Sequence, residues 1–250
     1  MIRTLSFALF IFILLISIIL IIFQEHFIYT GYHRTIIPLK PPYQHLKNNS
    51  YYKQGTSDEL WLIFGGNGSL PQDYVILTKN TNHSYIYINY PGFGGIDGSM
   101  SPNSSLKLID DIITLIPNKY TNINILGYSI GCAVSMHYLY KRPKFMKKIN
   151  KIRLLAPFWS LDEVANNRYL PYLPNYIIKT LLSHNWENYI YIKHIDPNIN
   201  LIILHGQNDI YVPYDQSKRL HELRPNTMFI TTDDDHESIL KKINIVLNEY

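Results

Sequence analysis

Three side chains in the second half of the chain have the types and setting for nucleophilic chemistry: Ser129, Asp209 and His236. A serine hydroxyl at its ordinary acidity is a weak nucleophile. It needs a base, and the base needs an acid to orient it. Ser129 sits in Gly127-Tyr128-Ser129-Ile130-Gly131, a Gly-x-Ser-x-Gly pattern. Where an apolar strand enters that pattern and a helix leaves it, the backbone turns so sharply that the serine is strained and its hydroxyl stands out at the carboxyl edge of a sheet. Asn122 to Leu126 reads as the strand, and Ile130 to Tyr140 as the helix, with small Cys132, Ala133 and Ser135 near its start. Gly127 and Gly131 are the expected elbow glycines, because a Cβ at either position would strike the neighbouring strand or helix.

On a doubly wound sheet the acid and base must come from loops at the carboxyl ends of later strands. Leu201 to Leu204 is an apolar strand followed by His205-Gly206-Gln207-Asn208-Asp209, which presents Asp209 after a tight turn. Met228 to Thr231 is a further strand, followed by Asp233-Asp234-Asp235-His236 and a helix, which presents His236 as the base. The chain order nucleophile, acid, base is the order used on the α/β-hydrolase fold. Other candidates fit less well. His205 reads as buried support at a strand end, His221 as an exposed mid-helix residue, and His137 as too deep in the elbow helix to reach Ser129. Asp233, Asp234 and Asp235 read as solvated loop residues, and Asp97 as a turn residue.

The negative charge that develops on a substrate oxygen needs donors. The backbone N–H of Ile130, just after the nucleophile, is one. The second is expected after an early strand, where Leu62-Ile63-Phe64-Gly65-Gly66-Asn67-Gly68 lets backbone approach the substrate closely. Asn67 is the expected donor there, with Gly68 as the alternative.

With these motifs in place the chain resembles the membrane-anchored α/β-hydrolase-domain serine hydrolases over about residues 57–250. The resemblance rests on Phe64-Gly65-Gly66-Asn67-Gly68, Asn89-Tyr90-Pro91-Gly92-Phe93-Gly94, the elbow, His205 to Asp209 with Val212-Pro213, and Asp235-His236. The family has a histidine where this chain has Gly65, and an arginine where it has Pro91; neither departure touches the three reactive side chains. The resemblance implies hydrolysis of lipids or of acylated proteins, with no metal or cofactor.

The elements that must position these residues alternate along the chain. Strands are expected at Leu60 to Phe64, Tyr85 to Tyr90, Asn122 to Leu126, Ile152 to Ala156, Leu201 to Leu204 and Met228 to Thr231. Helical segments are expected at Tyr74 to Leu77, Leu106 to Ile116, Ile130 to Tyr140, Tyr214 to Leu223 and Ser238 to Leu247. Such alternation makes an α/β fold with a mostly parallel, doubly wound sheet, here an α/β-hydrolase fold. Residues 157–199 interrupt the rhythm with aromatics and prolines, and read as a small helical lid. Residues 24–56 read as a linker and first edge structure.

The amino-terminal region is different in kind. After a short tail at residues 1–4, Leu5 to Phe23 carries no charged residue. As a helix it would be about as long as a bilayer's hydrocarbon core, roughly 30 Å. No small-x-small cleavage site follows it, so an uncleaved single-pass anchor is expected rather than a signal peptide. The chain has 250 residues, a net charge of +4 and one cysteine, Cys132. That length suits one α/β domain, and the lone cysteine excludes an internal disulfide. Basic residues are scattered, so no nucleic-acid partner is expected. The expected activity is cleavage of carboxylic esters or thioesters, lipid-like acyl substrates foremost. A serine peptidase on the same fold and a catalytically silent binding or scaffold protein are the alternatives.

Overall fold

Short runs of Ile, Leu and aromatic residues build the centre of the sheet. β1 (Tyr43–His45) and β2 (Tyr51–Lys53) lie at one edge, followed in the chain by β3 (Glu59–Phe64), β4 (Ser84–Ile88), β5 (Asn122–Tyr128), β6 (Ile149–Leu155), β7 (Asn200–Gly206) and β8 (Met228–Thr232). In this computed structural model the described residues are 28–79, 81–169, 172 and 174–248, together with 11, 12, 15, 18, 19, 22 and 24–26. The strand order is β1-β2-β4-β3-β5-β6-β7-β8. Every pairing from β4 through β8 is parallel, whereas β1 with β2 and β2 with β4 are antiparallel. The edge structure expected within 24–56 is therefore a pair of three-residue strands that adds an antiparallel margin. β3 and β4 are buried along nearly their whole length, because helices cover both faces of the sheet.

The helices are α1 (Pro71–Val75), α2 (Pro102–Ile113), α3 (Ile130–Lys141), α4 (Pro143–Met146), α5 (Leu161–Tyr169), α6 (Asn175–Leu181), α7 (Asn188–Tyr191), α8 (Tyr214–Leu223) and α9 (Ile243–Asn248). At α2 a cap rather than the apolar stripe sets the start. α2 begins four residues before Leu106 because Ser101 and Ser104 bond each other's backbone N–H reciprocally and Pro102 opens the first turn. The last helix is split, with Ser238–Lys242 a tighter 3-10 turn that passes into α9.

Residues 157–199 form short helices α5, α6 and α7 between β6 and β7. Two of the aromatics expected in a lid are committed to packing. Trp186 is fully buried and donates its indole N–H to the Tyr29 hydroxyl at 3.1 Å. Trp159 lies between the Tyr189 ring, 5.1 Å away, and the Arg219 guanidinium, 3.9 Å from the ring centre.

The segment after the expected anchor docks on this same end of the molecule. The Gln24 side chain accepts from Ser183 N at 2.8 Å and donates to Leu181 O at 3.4 Å. Arg34 bonds Gly68 O at 2.7 Å and forms a two-pronged ion pair with Asp73. Most of the expected anchor, and the 1–4 tail, lie outside the described residues; Ile11, Phe12, Leu15, Ile18, Ile19 and Ile22 are described, helical and exposed. Among the described residues no helix is long and apolar enough to cross a membrane.

Candidate active site

The elbow forms where β5 meets α3. Ser129 has φ 53° and ψ −118°, a left-handed backbone that L side chains adopt only under constraint. Its N–H is held by Leu155 O on β6 at 2.8 Å. The two glycines are required by contact. A Cβ on Gly131 would lie 2.0 Å from Phe64 O, and one on Gly127 would lie 2.8 Å from Cys132 Cα. The strain at Ser129 is thus imposed by close approach of α3 to β3 and β5.

Asp209 and His236 converge on this serine from the loops after β7 and β8. His236 Nε2 lies 3.1 Å from Ser129 Oγ, and His236 Nδ1 lies 2.6 Å from Asp209 Oδ2. Asp209 Oδ1 accepts the N–H groups of Tyr211 at 2.9 Å and Val212 at 2.8 Å. Burial alone would raise the pKa of Asp209, but hydrogen bonds from His205 and His236, and the charge of His236, outweigh it and hold the carboxyl well below its usual range. Asp209 therefore stays ionised and can orient His236 and stabilise its protonated form. Ser129 is 7% exposed, so its side chain is almost wholly covered.

The loop after β3 stands beside the elbow. Tyr90 donates its hydroxyl to Gly65 O at 2.9 Å, and Gly66 donates its N–H to the Tyr74 hydroxyl at 3.0 Å. A Cβ on Gly66 would lie 2.5 Å from the Tyr128 ring, so this position needs glycine. Among the described residues the backbone N–H groups of Ile130 and Asn67 make no hydrogen bond, which leaves both available to an oxyanion. The Asn67 side chain is engaged elsewhere. Its Nδ2 donates to Ile28 O at 2.5 Å, and its Oδ1 accepts from Thr30 N at 2.9 Å.

Several residues of the site carry no local signal in the sequence. Tyr128 places its ring 5.1 Å from that of His236 and donates its hydroxyl to His236 O at 2.8 Å. Tyr211 faces the His236 ring at 5.6 Å, and Arg168 on α5 lies 4.0 Å over the Tyr211 ring. His205 is buried as expected, but it is more than support: its Nε2 is 3.2 Å from Asp209 Oδ2. The other candidates fall outside the site. His137 is buried against Trp186 and Tyr191, where burial lowers its pKa to about 4. His221 is half-buried rather than exposed and stacks on Phe229. Asp235 accepts from the N–H groups of Glu237 at 3.0 Å and Ser238 at 2.7 Å, shaping the turn that carries His236. Among the described residues no cluster of three or more His, Cys, Asp or Glu side chains could hold a metal ion.

No protein-family profile matches the chain. It is 26% identical over 203 residues to Uncharacterized protein R595 of Acanthamoeba polyphaga mimivirus, a match that spans 76% of this chain and 69% of the relative. Its fold is similar to that of the Pyrococcus furiosus esterase Pf2001, with a TM-score of 0.63 at 16% identity over 86% of this chain and 92% of the other. The esterase EaEST of Exiguobacterium antarcticum gives a TM-score of 0.60 at 14% identity over 82% and 95% of the two chains. Est1E of Butyrivibrio proteoclasticus, solved with ferulic acid bound, gives 0.60 at 17% identity over 80% and 92%. At these identities the likeness establishes the α/β-hydrolase fold.

Proposed function

We propose that the chain is a serine hydrolase that cleaves carboxylic esters or thioesters through an acyl-enzyme. The observation that carries this reading is the unbroken chain Ser129 Oγ, His236 Nε2, His236 Nδ1, Asp209 Oδ2, with contacts of 3.1 and 2.6 Å. In the first step His236 Nε2 takes the Ser129 proton as Oγ attacks the acyl carbon. The carbonyl oxygen gains negative charge between the N–H groups of Ile130 and Asn67. His236 then gives its proton to the departing alcohol or thiol. A water, deprotonated by the same nitrogen, releases the acid and regenerates Ser129.

Lipid-like acyl substrates and a membrane anchor at residues 5–23 complete the reading. Two features support them. Ile210, next to Asp209 in the chain, is 83% exposed, so an apolar side chain stands on the loop that carries the acid. The chain leaving the expected anchor is tied to α6 through Gln24 and Leu181 O. An anchored site meets bilayer components at high local concentration.

The direct test is labelling by a fluorophosphonate probe, with turnover of a short p-nitrophenyl ester. Wild type should label and turn over. Ser129→Ala should do neither, and His236→Ala should lose activity by about 10⁴-fold. An unlabelled wild type would indicate a silent protein on this fold, and turnover of peptide bonds but not of esters would indicate a peptidase. For the anchor, the full chain should stay in the membrane pellet after an alkaline carbonate wash. Release into the supernatant would refute it.

A further inference from the structure

Two arginines around α5 stack on aromatic rings. Arg219 on α8 lies with Cζ 3.9 Å from the centre of the Trp159 ring, and the edge of its guanidinium holds the Glu163 carboxylate by two hydrogen bonds of 2.7 and 3.1 Å. A face on a ring and an edge on an anion are compatible, because the donors of a guanidinium lie in its plane. Arg168, in the last turn of α5, repeats the first half of this arrangement, with Cζ 4.0 Å from the centre of the Tyr211 ring.

The Arg168 stack stands beside the three reactive side chains. The Tyr211 ring lies 5.6 Å from the His236 ring, and the Tyr211 N–H is one of the two that hold Asp209 Oδ1. One aromatic ring therefore separates the guanidinium from His236. Arg168 is exposed and Tyr211 is 37% exposed, so solutes reach the pair. Stacking restricts a long side chain and holds its charge in place before a ligand arrives. The carboxyl end of α5 favours a cation there as well. The carboxylates next to His236 have set tasks: Asp209 holds His236, and Asp235 accepts the N–H groups of Glu237 and Ser238.

We propose that Arg168 is a specificity-determining residue, which selects substrates whose leaving alcohol or thiol carries a phosphate or a carboxylate. The inference rests on the reading of Ser129, His236 and Asp209 as a hydrolytic triad. In that reading the leaving oxygen or sulfur takes its proton from His236 Nε2, so the leaving group lies against His236 and meets the ring and the cation beside it. An anion there gains charge-assisted hydrogen bonds from the planar fork, as Glu163 does from Arg219. A neutral leaving group gains none. Because the guanidinium is exposed, the preference is open to screening by salt.

The test compares esters that differ only in the charge of the leaving group. One pair is p-nitrophenyl butyrate and its ring-carboxylated analogue; the other is butyrylglycerol and butyrylglycerol phosphate. Intrinsic reactivity cancels when the ratio of kcat/KM, anionic over neutral, is compared between variants of the full chain. Arg168→Gln should lower that ratio by about tenfold in at least one pair, and the pair that falls further identifies the anion as carboxylate or phosphate. Arg168→Lys keeps the charge without the fork and should give an intermediate ratio. Added salt should lower the wild-type ratio and leave that of Arg168→Gln unmoved. Ratios unchanged in both pairs, with or without a loss of overall rate, would reduce Arg168 to packing and overturn the proposal. Binding is measured apart from turnover. Ser129→Ala protein should bind butyrylglycerol phosphate or the carboxylated ester more tightly than its neutral counterpart by calorimetry, and Arg168→Gln in that background should remove the difference. Equal binding within both pairs would overturn the assignment whether or not wild type hydrolyses esters. Charge-selective binding with no turnover of any ester by wild type would instead refute the hydrolytic reading, and the leaving-group role with it.

Discussion

The Tyr128 hydroxyl donates to the backbone carbonyl of His236 at 2.8 Å, so the residue before Ser129 holds the residue whose ring faces the Ser129 hydroxyl. The two are 108 positions apart in sequence. Tyr128 is fixed at the end of β5, whereas His236 stands on a loop beyond the last strand. Their rings also face each other at 5.1 Å. The bond transfers the rigidity of the sheet to a loop that has no ladder of its own, and registers Nε2 against Ser129 Oγ.

Tyr128→Phe should separate this positioning from packing. The ring stays and the hydrogen bond goes, at a cost of about 0.5–1.5 kcal/mol, which corresponds to roughly 2- to 10-fold in rate. We expect kcat to fall by that factor, with KM for a short ester unchanged and little loss of thermal stability. Unchanged kcat would show that the loop holds His236 without help.

Asn67→Ala should affect a different property. Its side chain clasps Ile28 O and Thr30 N, while its backbone N–H is the expected oxyanion donor. The substitution removes the clasp and keeps the donor. Losing two such bonds should cost about 1–2 kcal/mol, or about 2–8 °C in Tm for a chain of this length. Limited proteolysis should cut faster near residues 28–36. Short-ester turnover should stay within a few-fold of wild type. A loss of 10²-fold or more would mean that the side chain, rather than the backbone, binds the oxyanion.

The meeting of Ser129, Asp209 and His236, and both elbow glycines, are legible in the sequence because each is tied to a local pattern: strand, tight turn, polar residue or glycine, helix. The contacts around these three side chains are not. Tyr128, His205 and the Asn67 side chain act on partners brought together by the sheet, and no local spacing encodes those meetings. His205 reads correctly as a buried strand-end residue, yet its contact with Asp209 depends on how the turn at Gly206 folds back. Helix ends depart from the apolar pattern where a cap decides them, as at Ser101, because the apolar stripe of α2 starts a turn later than its first hydrogen bond. The aromatics of 157–199 mark an insertion, but Trp159 and Trp186 are packing residues. Composition alone does not say which aromatic faces a substrate.

Asp209 should make stability sensitive to acid. Its folded-state pKa lies below the value of about 3.9 that it regains on unfolding. The native state therefore holds on to the ionised form, and the associated stability is complete above the unfolded value and drains away as pH falls below it. Tm measured from pH 6 down to pH 2.5 should fall for wild type. Asp209→Asn should be less stable at pH 6 but fall less steeply, so that the two curves approach one another in acid. Parallel curves would mean that other carboxylates dominate the acid transition.

Acyl-chain preference should depend on the rim of the site rather than on the buried tryptophans. Trp186→Ala empties a core position and should cost about 3–5 kcal/mol of stability, with no defined effect on chain length. Ile210 is exposed beside Asp209 in the chain, and Tyr211 faces the His236 ring, so on the proposed function these two are the side chains expected to touch an acyl chain. Each CH₂ withdrawn from water contributes up to about 0.8 kcal/mol, or roughly fourfold in kcat/KM, until the available surface is covered. We expect kcat/KM to rise from acetyl to medium or long esters at constant detergent, and Ile210→Ser to lower the ratio of long to short. A steep preference for acetyl, with a ratio untouched by Ile210→Ser, would assign the site to small esters. The apolar rim would then have no part in substrate choice.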